Sequence, residues 1–220
     1  RTVSDGLELL ENLEHRGATG ADPDTGDGAG IMLQRPDAFF DAVLDTALPE
    51  TYAVGSVFMP QNSRAREDLM NRVEARFADH DLSIVAWRDV PTENDDLGTT
   101  AREAEPDVWQ LFVTPDGDDV EAFDRALYVA RRDLETAIET AEPPGHERFY
   151  VCSLDRKRLV YKGLLTSRQL ASYYPDLRDE RLTSAIALVH ARFSTNTLGA
   201  WHLAHPYRTV VHNGEFNTIQ

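Results

Sequence analysis

Three stretches of this chain combine residue types that could handle a small charged substrate. Glu14-His15-Arg16-Gly17-Ala18-Thr19-Gly20 continues to Thr25-Gly26-Asp27-Gly28-Ala29-Gly30. His190-Ala191-Arg192-Phe193-Ser194-Thr195-Asn196 follows an apolar run, and His212-Asn213-Gly214-Glu215 lies near the end of the chain. Arg192 offers a planar guanidinium fork whose paired N–H donors match a carboxylate. Ala185, Ile186, Ala187, Leu188 and Val189 before it predict a strand with Arg192 near its end, partly desolvated. An internal salt bridge with one of the many acids is the competing assignment. Asn213 and Gly214 bring a side-chain amide and a glycine N–H, two donors that could hold the oxyanion formed when an amide is hydrolysed. The same dipeptide is a strong signal for a type I′ hairpin turn, so locally both readings stand.

The glycines invite a phosphate-cradle reading, which the pattern opposes. Gly26, Gly28 and Gly30 do not follow the G-x-G-x-x-G spacing, and here a helix precedes the loop and a strand follows it. A dinucleotide fingerprint needs the reverse order. The glycines are better suited to a tight turn or to close approach of another backbone segment. His202 and His205 lie three apart, and His190 and His212 could join them in space. A zinc site would need such side chains with carboxylates behind them. No HExxH motif occurs, and ordinary hydrogen-bonded or surface histidines are expected instead of a metal site.

Composition narrows the function classes. With 220 residues, 41% of them hydrophobic, the chain can bury one substantial core. No apolar run is long enough to cross a bilayer, so no membrane partner is expected. Cys152 is the only cysteine, which excludes a disulfide framework or thiolate cage within the chain and fits a reducing cytoplasm. The net charge is −16, and of the 22 basic residues only Lys157 and Lys162 are lysines. Such a surface repels phosphate backbones, so nucleic acid is not an expected partner. It also repels itself, a load that salt screens, and the acid excess with the lysine shortage suggests a very salty cytoplasm, with an ordinary acidic enzyme as the alternative. The first residue is Arg1 and no leader pattern follows, so the sequence is expected to begin within a longer protein or after processing.

The elements that must position these groups follow from periodicity. Ser4 is a plausible N-cap for a helix carrying Val3, Leu7, Leu10 and Leu13 and ending near Arg16-Gly17. Ile31–Gln34 reads as a buried strand, and Pro36 opens a helix with Phe39, Phe40, Val43 and Leu44 inward. Tyr52–Met59, Leu82–Trp87 and Val108–Val113 read as strands, and Ser63–His80 as a helix. The acidic Pro91–Pro106 segment predicts an irregular surface excursion. Val120, Phe123, Leu127, Ala130, Leu134 and Ile138 keep helical spacing over six turns. Phe149–Leu154 and Leu159–Lys162 flank a short polar loop and predict a hairpin of antiparallel neighbours. Ser184–Ser194 and Tyr207–His212 are the last strand candidates. The mixture predicts an α+β chain, antiparallel sheets sandwiched under helices, in one domain.

Together the three stretches resemble the glutaminase domain of glutamate synthases, within the glutamine amidotransferases that use an N-terminal cysteine nucleophile. The resemblance rests on Leu13–Pro23 (LEHRGATGADP), Thr25–Ile31 (TGDGAGI), residues 190–197 (HARFSTNT) and 212–218 (HNGEFNT). It is dense at both ends; between Thr51 and Arg148 it extends only to the order of elements. It implies a four-layer αββα sandwich of the Ntn-hydrolase kind. It also implies that Arg192 clamps the α-carboxylate of glutamine, that Asn213 and Gly214 form the oxyanion hole, and that Thr195 lines the pocket. Phe193 to Ala204 would be the loop that folds over the substrate, His205-Pro206 a structural motif, and Asp27 an organiser of the glycine loop.

The same resemblance implies a terminal cysteine on a strand before the first helix and an acidic residue beyond Gln220 gripping the substrate amino group. The 220 residues are therefore expected to be one domain truncated at both ends and inactive by themselves. Cys152 cannot substitute, its amine being locked in a peptide bond. No cofactor is expected in this domain; FMN and an iron–sulfur cluster are implied for the parent enzyme, whose synthase portion would receive ammonia. Two other assignments remain: another amidotransferase of the class, such as a glucosamine phosphate or asparagine synthase, or a non-catalytic regulatory or assembly module.

Overall fold

A computed structural model describes residues 1–13, 22, 24–117, 119–192 and 199–208. Two antiparallel sheets occupy its centre. β1 (Ala29–Gln34), β6 (Arg158–Gly163) and β7 (Ala187–Ala191) form one, in the order β6-β1-β7. β2 (Ala53–Met59), β3 (Leu82–Asp89), β4 (Asp107–Pro115) and β5 (Tyr150–Asp155) form the other, in the order β3-β4-β2-β5.

All seven residues of β2 are buried, because helices cover one face of its sheet and the second sheet covers the other. Val54 and Phe58 join the core shared between the sheets; Ala53, Val57 and Met59 join the core under helices α3 (Ser63–Ala78) and α5 (Val120–Ala141). β4 divides the same way, with Val108 and Phe112 in the first core and Leu111 and Val113 in the second. α1 (Thr2–Asn12) packs on β7 and β1. The result is the αββα sandwich that the residue pattern and the resemblance both predict.

The long helices form where the periodicity requires. Phe123, Leu127, Ala130, Leu134 and Ile138 bury one stripe of α5, each large side chain contributing about 1.5–3 kcal/mol. The Asp119 carboxylate accepts from the N–H groups of Glu121 and Ala122 at 2.9 and 3.0 Å and caps it. Asn62 caps α3 through the N–H of Ala65 at 3.0 Å.

Several local expectations are corrected. Ser4 is not the cap of α1: the helix begins at Thr2, and the Ser4 hydroxyl turns back to donate to the Arg1 carbonyl at 2.7 Å, a local bond available to serine inside a first turn. The helix ends at Asn12, with Leu13 as its C-cap.

The β5–β6 pair is not a hairpin. β5 bonds to β2, from Val54 opposite Asp155 to Phe58 opposite Tyr150, whereas β6 bonds to β1 along six residues. The short connection is a corner that carries the chain from one sheet to the other. Pairing this way gives β1 and β2 a second neighbour each, which pairing β5 with β6 would deny them, and makes β6 and β5 edge strands of their sheets. The corner is fixed by Arg156, which donates to Asp124 of α5 at 2.6 and 2.9 Å, and by the Val160 N–H donating to the Ser153 hydroxyl at 3.2 Å.

The Pro91–Pro106 segment is largely exposed, as expected, but it is not irregular throughout. It contains α4 (Thr99–Glu103) and buries Leu97, Ala101 and Glu105. Of its acids, Glu105 is an internal acceptor, receiving the Asn94 amide and the Tyr173 hydroxyl, each at 2.9 Å. β7 is also shorter than predicted, starting at Ala187; Tyr207 and Arg208 lie outside any strand, and residues 193–194 and 209–212 lie outside the described residues.

Candidate active site

The glycine stretch and the arginine stretch meet at one end of the three-stranded sheet. Ala29 of β1 stands opposite Ala191 of β7, which brings Gly28 beside Arg192. The Arg192 N–H donates to the Gly28 carbonyl at 2.7 Å, and its Nη1 to the Asp27 carbonyl at 3.3 Å. Arg192 is half-buried, as its position after an apolar strand predicts. Gly28 has φ +133, a conformation L side chains rarely adopt, and a Cβ there would lie 2.9 Å from the Ala204 methyl. This residue therefore answers to both expected uses of a glycine, the turn and the close approach.

The loop before Gly28 is held from outside by residues 98–101. The Gly98 N–H donates to the Asp24 carbonyl at 3.0 Å, and the Ala101 N–H to the Thr25 hydroxyl at 3.3 Å. Thr25 in turn donates to the Asp22 carboxylate at 2.9 Å, the first cause of the lowered Asp22 pKa. The Gln169 amide ties the two segments, donating to the carbonyls of Asp24 and Asp96 at 2.9 and 2.6 Å.

One face of the three-stranded sheet carries Lys162, Gly30 and His190 side by side, since Gly30 is opposite both neighbours. Residues 199–208 lie across that face. His190 stacks on His205, ring centroids 4.5 Å apart, and His205 packs on Tyr207 at 4.1 Å; the His205–Pro206 peptide is cis. Lys162 donates to the carbonyls of His202 and Ala204 at 2.9 and 2.8 Å. Trp201 is buried, with its Nε1 donating to the Ala101 carbonyl at 3.0 Å and its ring 5.9 Å from that of Phe58.

Burial drives the electrostatics here. It pushes the Lys162 ammonium down to about 8 and the Cys152 thiol up to about 11. Cys152 thus stays a protonated thiol at neutral pH and is no nucleophile. Burial, then the Lys162 charge, lowers the His202 pKa. A cavity of about 440 Å³ lies beside this segment, lined in part by Thr100, Arg148, Tyr150, Trp201 and His202; neither Arg192 nor Asp27 lines it.

Of the residues singled out from sequence, Arg192 and Asp27 are brought together. Thr195, Asn213 and Gly214 lie outside the described residues, as does most of the Leu13–Pro23 stretch. Among the described residues no group of three His, Cys, Asp or Glu side chains is arranged to hold a metal, and no helix is long and apolar enough to cross a membrane. Sequence reasoning passed over Lys162, Ala204 and Gln169. Only Lys162 left a signal: a lone charge within the apolar run Leu159-Val160-Tyr161 in a chain that avoids lysine.

The αββα sandwich is the architecture that the resemblance implies, and the comparison with known proteins shows the family. The chain belongs to the class-II glutamine amidotransferases, whose family pattern it matches over residues 1–220. It is 44% identical over 223 residues to the glutamate synthase [NADPH] large chain of Bacillus subtilis, a match covering 99% of this chain and 14% of that protein. The corresponding large chain of Azospirillum brasilense is 40% identical over 224 residues, covering 99% and 15%. The ferredoxin-dependent chloroplastic glutamate synthase of rice is 40% identical over 227 residues, covering 99% and 14%. The chain thus spans about a seventh of the length of these relatives.

Proposed function

We propose that this chain is the glutamine-hydrolysing unit of a glutamate synthase large chain, a single domain of that longer protein, supplying ammonia for glutamate synthesis from 2-oxoglutarate. The observation that carries the reading is the fixed position of Arg192: its N–H and Nη1 are tied to the Gly28 and Asp27 carbonyls of the glycine loop. Arg192 clamps the substrate α-carboxylate, Asp27 organises the loop beneath it, and Thr195 lines the pocket.

The N-terminal cysteine of the mature protein is the nucleophile. Its thiolate adds to the carboxamide carbon, with its own α-amino group as base. Asn213 and Gly214 hold the oxyanion as it forms. Collapse expels ammonia, and water then cleaves the thioester to release glutamate and restore the thiol. The family resemblance implies FMN and an iron–sulfur cluster in the synthase portion. This domain does not fit the cluster, which needs several thiolates, because its only cysteine is one buried protonated thiol.

The direct test is release of ammonia and glutamate from glutamine by the full-length protein; its absence would sink the assignment. Within an active protein, Asn213→Ala is expected to lower kcat about 10²-fold with little change in KM, since its donor matters most when charge develops. A rise in KM alone would show that Asn213 binds substrate and does not stabilise the oxyanion.

The surface chemistry supports a cytoplasm of high ionic strength as the working environment. With net charge −16, self-repulsion opposes the compact state until counterions screen it. The melting temperature is expected to climb by several degrees between low and molar potassium chloride. A melt unaffected by salt would remove this part of the proposal.

A further inference from the structure

Lys162 is a charged side chain with 1% of its surface exposed, in a chain whose basic residues are otherwise arginines apart from Lys157. Burying an ammonium is costly unless its donors are hydrogen-bonded. The surroundings show what it holds. Its Nζ donates to the His202 and Ala204 carbonyls and sits 4.7 and 5.2 Å from the centroids of Tyr150 and Tyr207. The Tyr174 hydroxyl fixes the Lys162 backbone by donating to its carbonyl at 2.8 Å.

We propose that Lys162 is a positioning residue for the Arg192 clamp, acting through the backbone at 202–204. The contacts form a continuous series. Lys162 holds the Ala204 carbonyl, the Ala204 methyl lies against the bare Cα of Gly28, and the Gly28 carbonyl receives the Arg192 N–H. Withdrawing the ammonium frees the 202–204 backbone to lift from Gly28, and with it the peptide that registers Arg192. A compact ammonium with three rotatable donors reaches two converging carbonyls between aromatic rings; a planar guanidinium is bulkier and its fork is fixed. Burial lowers the ammonium only to about 8, so the charge is retained at neutral pH.

The inference rests on the glutaminase reading of the site, and the experiment separates the two. In the full-length protein, Lys162→Met should raise the KM for glutamine and weaken glutamate binding about tenfold, kcat falling much less, with only a modest fall in melting temperature from the two carbonyls left without a donor. Lys162→Gln, a neutral donor for one carbonyl, should fall between, and Lys162→Arg should not restore the wild-type KM. A folded Lys162→Met protein with wild-type KM would overturn the proposal. So would parallel collapse of KM, kcat and melting temperature in both the Met and Gln variants, the mark of a purely structural lysine. Wild-type protein without glutaminase turnover would instead bring down the reading of the site itself, and this inference with it.

Discussion

Arg192→Ala in the full-length protein is expected to raise the KM for glutamine by roughly 10²–10⁴-fold, from the loss of two charge-assisted hydrogen bonds worth about 1.5–3 kcal/mol each. The expectation depends on where the side chain is held. Arg192 follows the last residue of β7, its N–H bound to the Gly28 carbonyl and its Nη1 leaning on the Asp27 carbonyl. These two contacts fix Arg192 at the end of β7, beside the glycine loop. Arg192→Lys keeps the charge and loses the fork, so its KM should lie between those of wild type and alanine. Steady-state kinetics with glutamine, paired with glutamate binding, separate the cases. A kcat loss at constant KM would contradict the clamp, because ground-state binding removed from a substrate carboxylate must appear in KM.

The second large effect concerns stability. Gly30→Ala is expected to destabilise the domain by about 3 kcal/mol or more, a fall in melting temperature of roughly 10 °C for a domain of this size. A methyl group at Gly30 would lie 2.3 Å from the His205 carbonyl oxygen, 2.7 Å from the Lys162 Cβ and 2.8 Å from the Tyr161 carbonyl oxygen. Two of these are backbone atoms that cannot rotate aside. Either β1 must separate from β6 or the 199–208 segment must lift. Gly117→Ala is the matched control, since a Cβ there meets nothing within 4 Å and removes only unfolded-state freedom. Equal melting temperatures for Gly30→Ala and wild type would mean that the segment does not lie on this face in solution.

Much of the scaffold was legible because it is written in local periodicity. The stripe from Phe123 to Ile138 predicts α5, and the apolar runs at Tyr52–Met59 and Val108–Val113 predict β2 and β4 to within a residue or two. The partner of each strand was not legible. Phe149–Leu154 and Leu159–Lys162 satisfy every local rule for a hairpin, yet β5 and β6 join different sheets. Local rules count the residues in a turn; pairing is decided by which distant edge needs a partner.

The site divides along the same line. Residue types alone offered Arg192 as a carboxylate partner, in a substrate or in an internal salt bridge, and marked Gly26 to Gly30 as a place of close approach, because a guanidinium fork and a missing Cβ are intrinsic chemical properties. The sequence also set the charge of the molecule, its single thiol and its poverty in lysine. Tertiary structure alone decided that Gly98 and Ala101 hold the glycine loop, that Ala204 rests on Gly28, and that Lys162 closes on two carbonyls about forty residues away. Such contacts join partners far apart in the chain and depend on which face each strand presents, and that facing is fixed only when both sheets and their helices pack together.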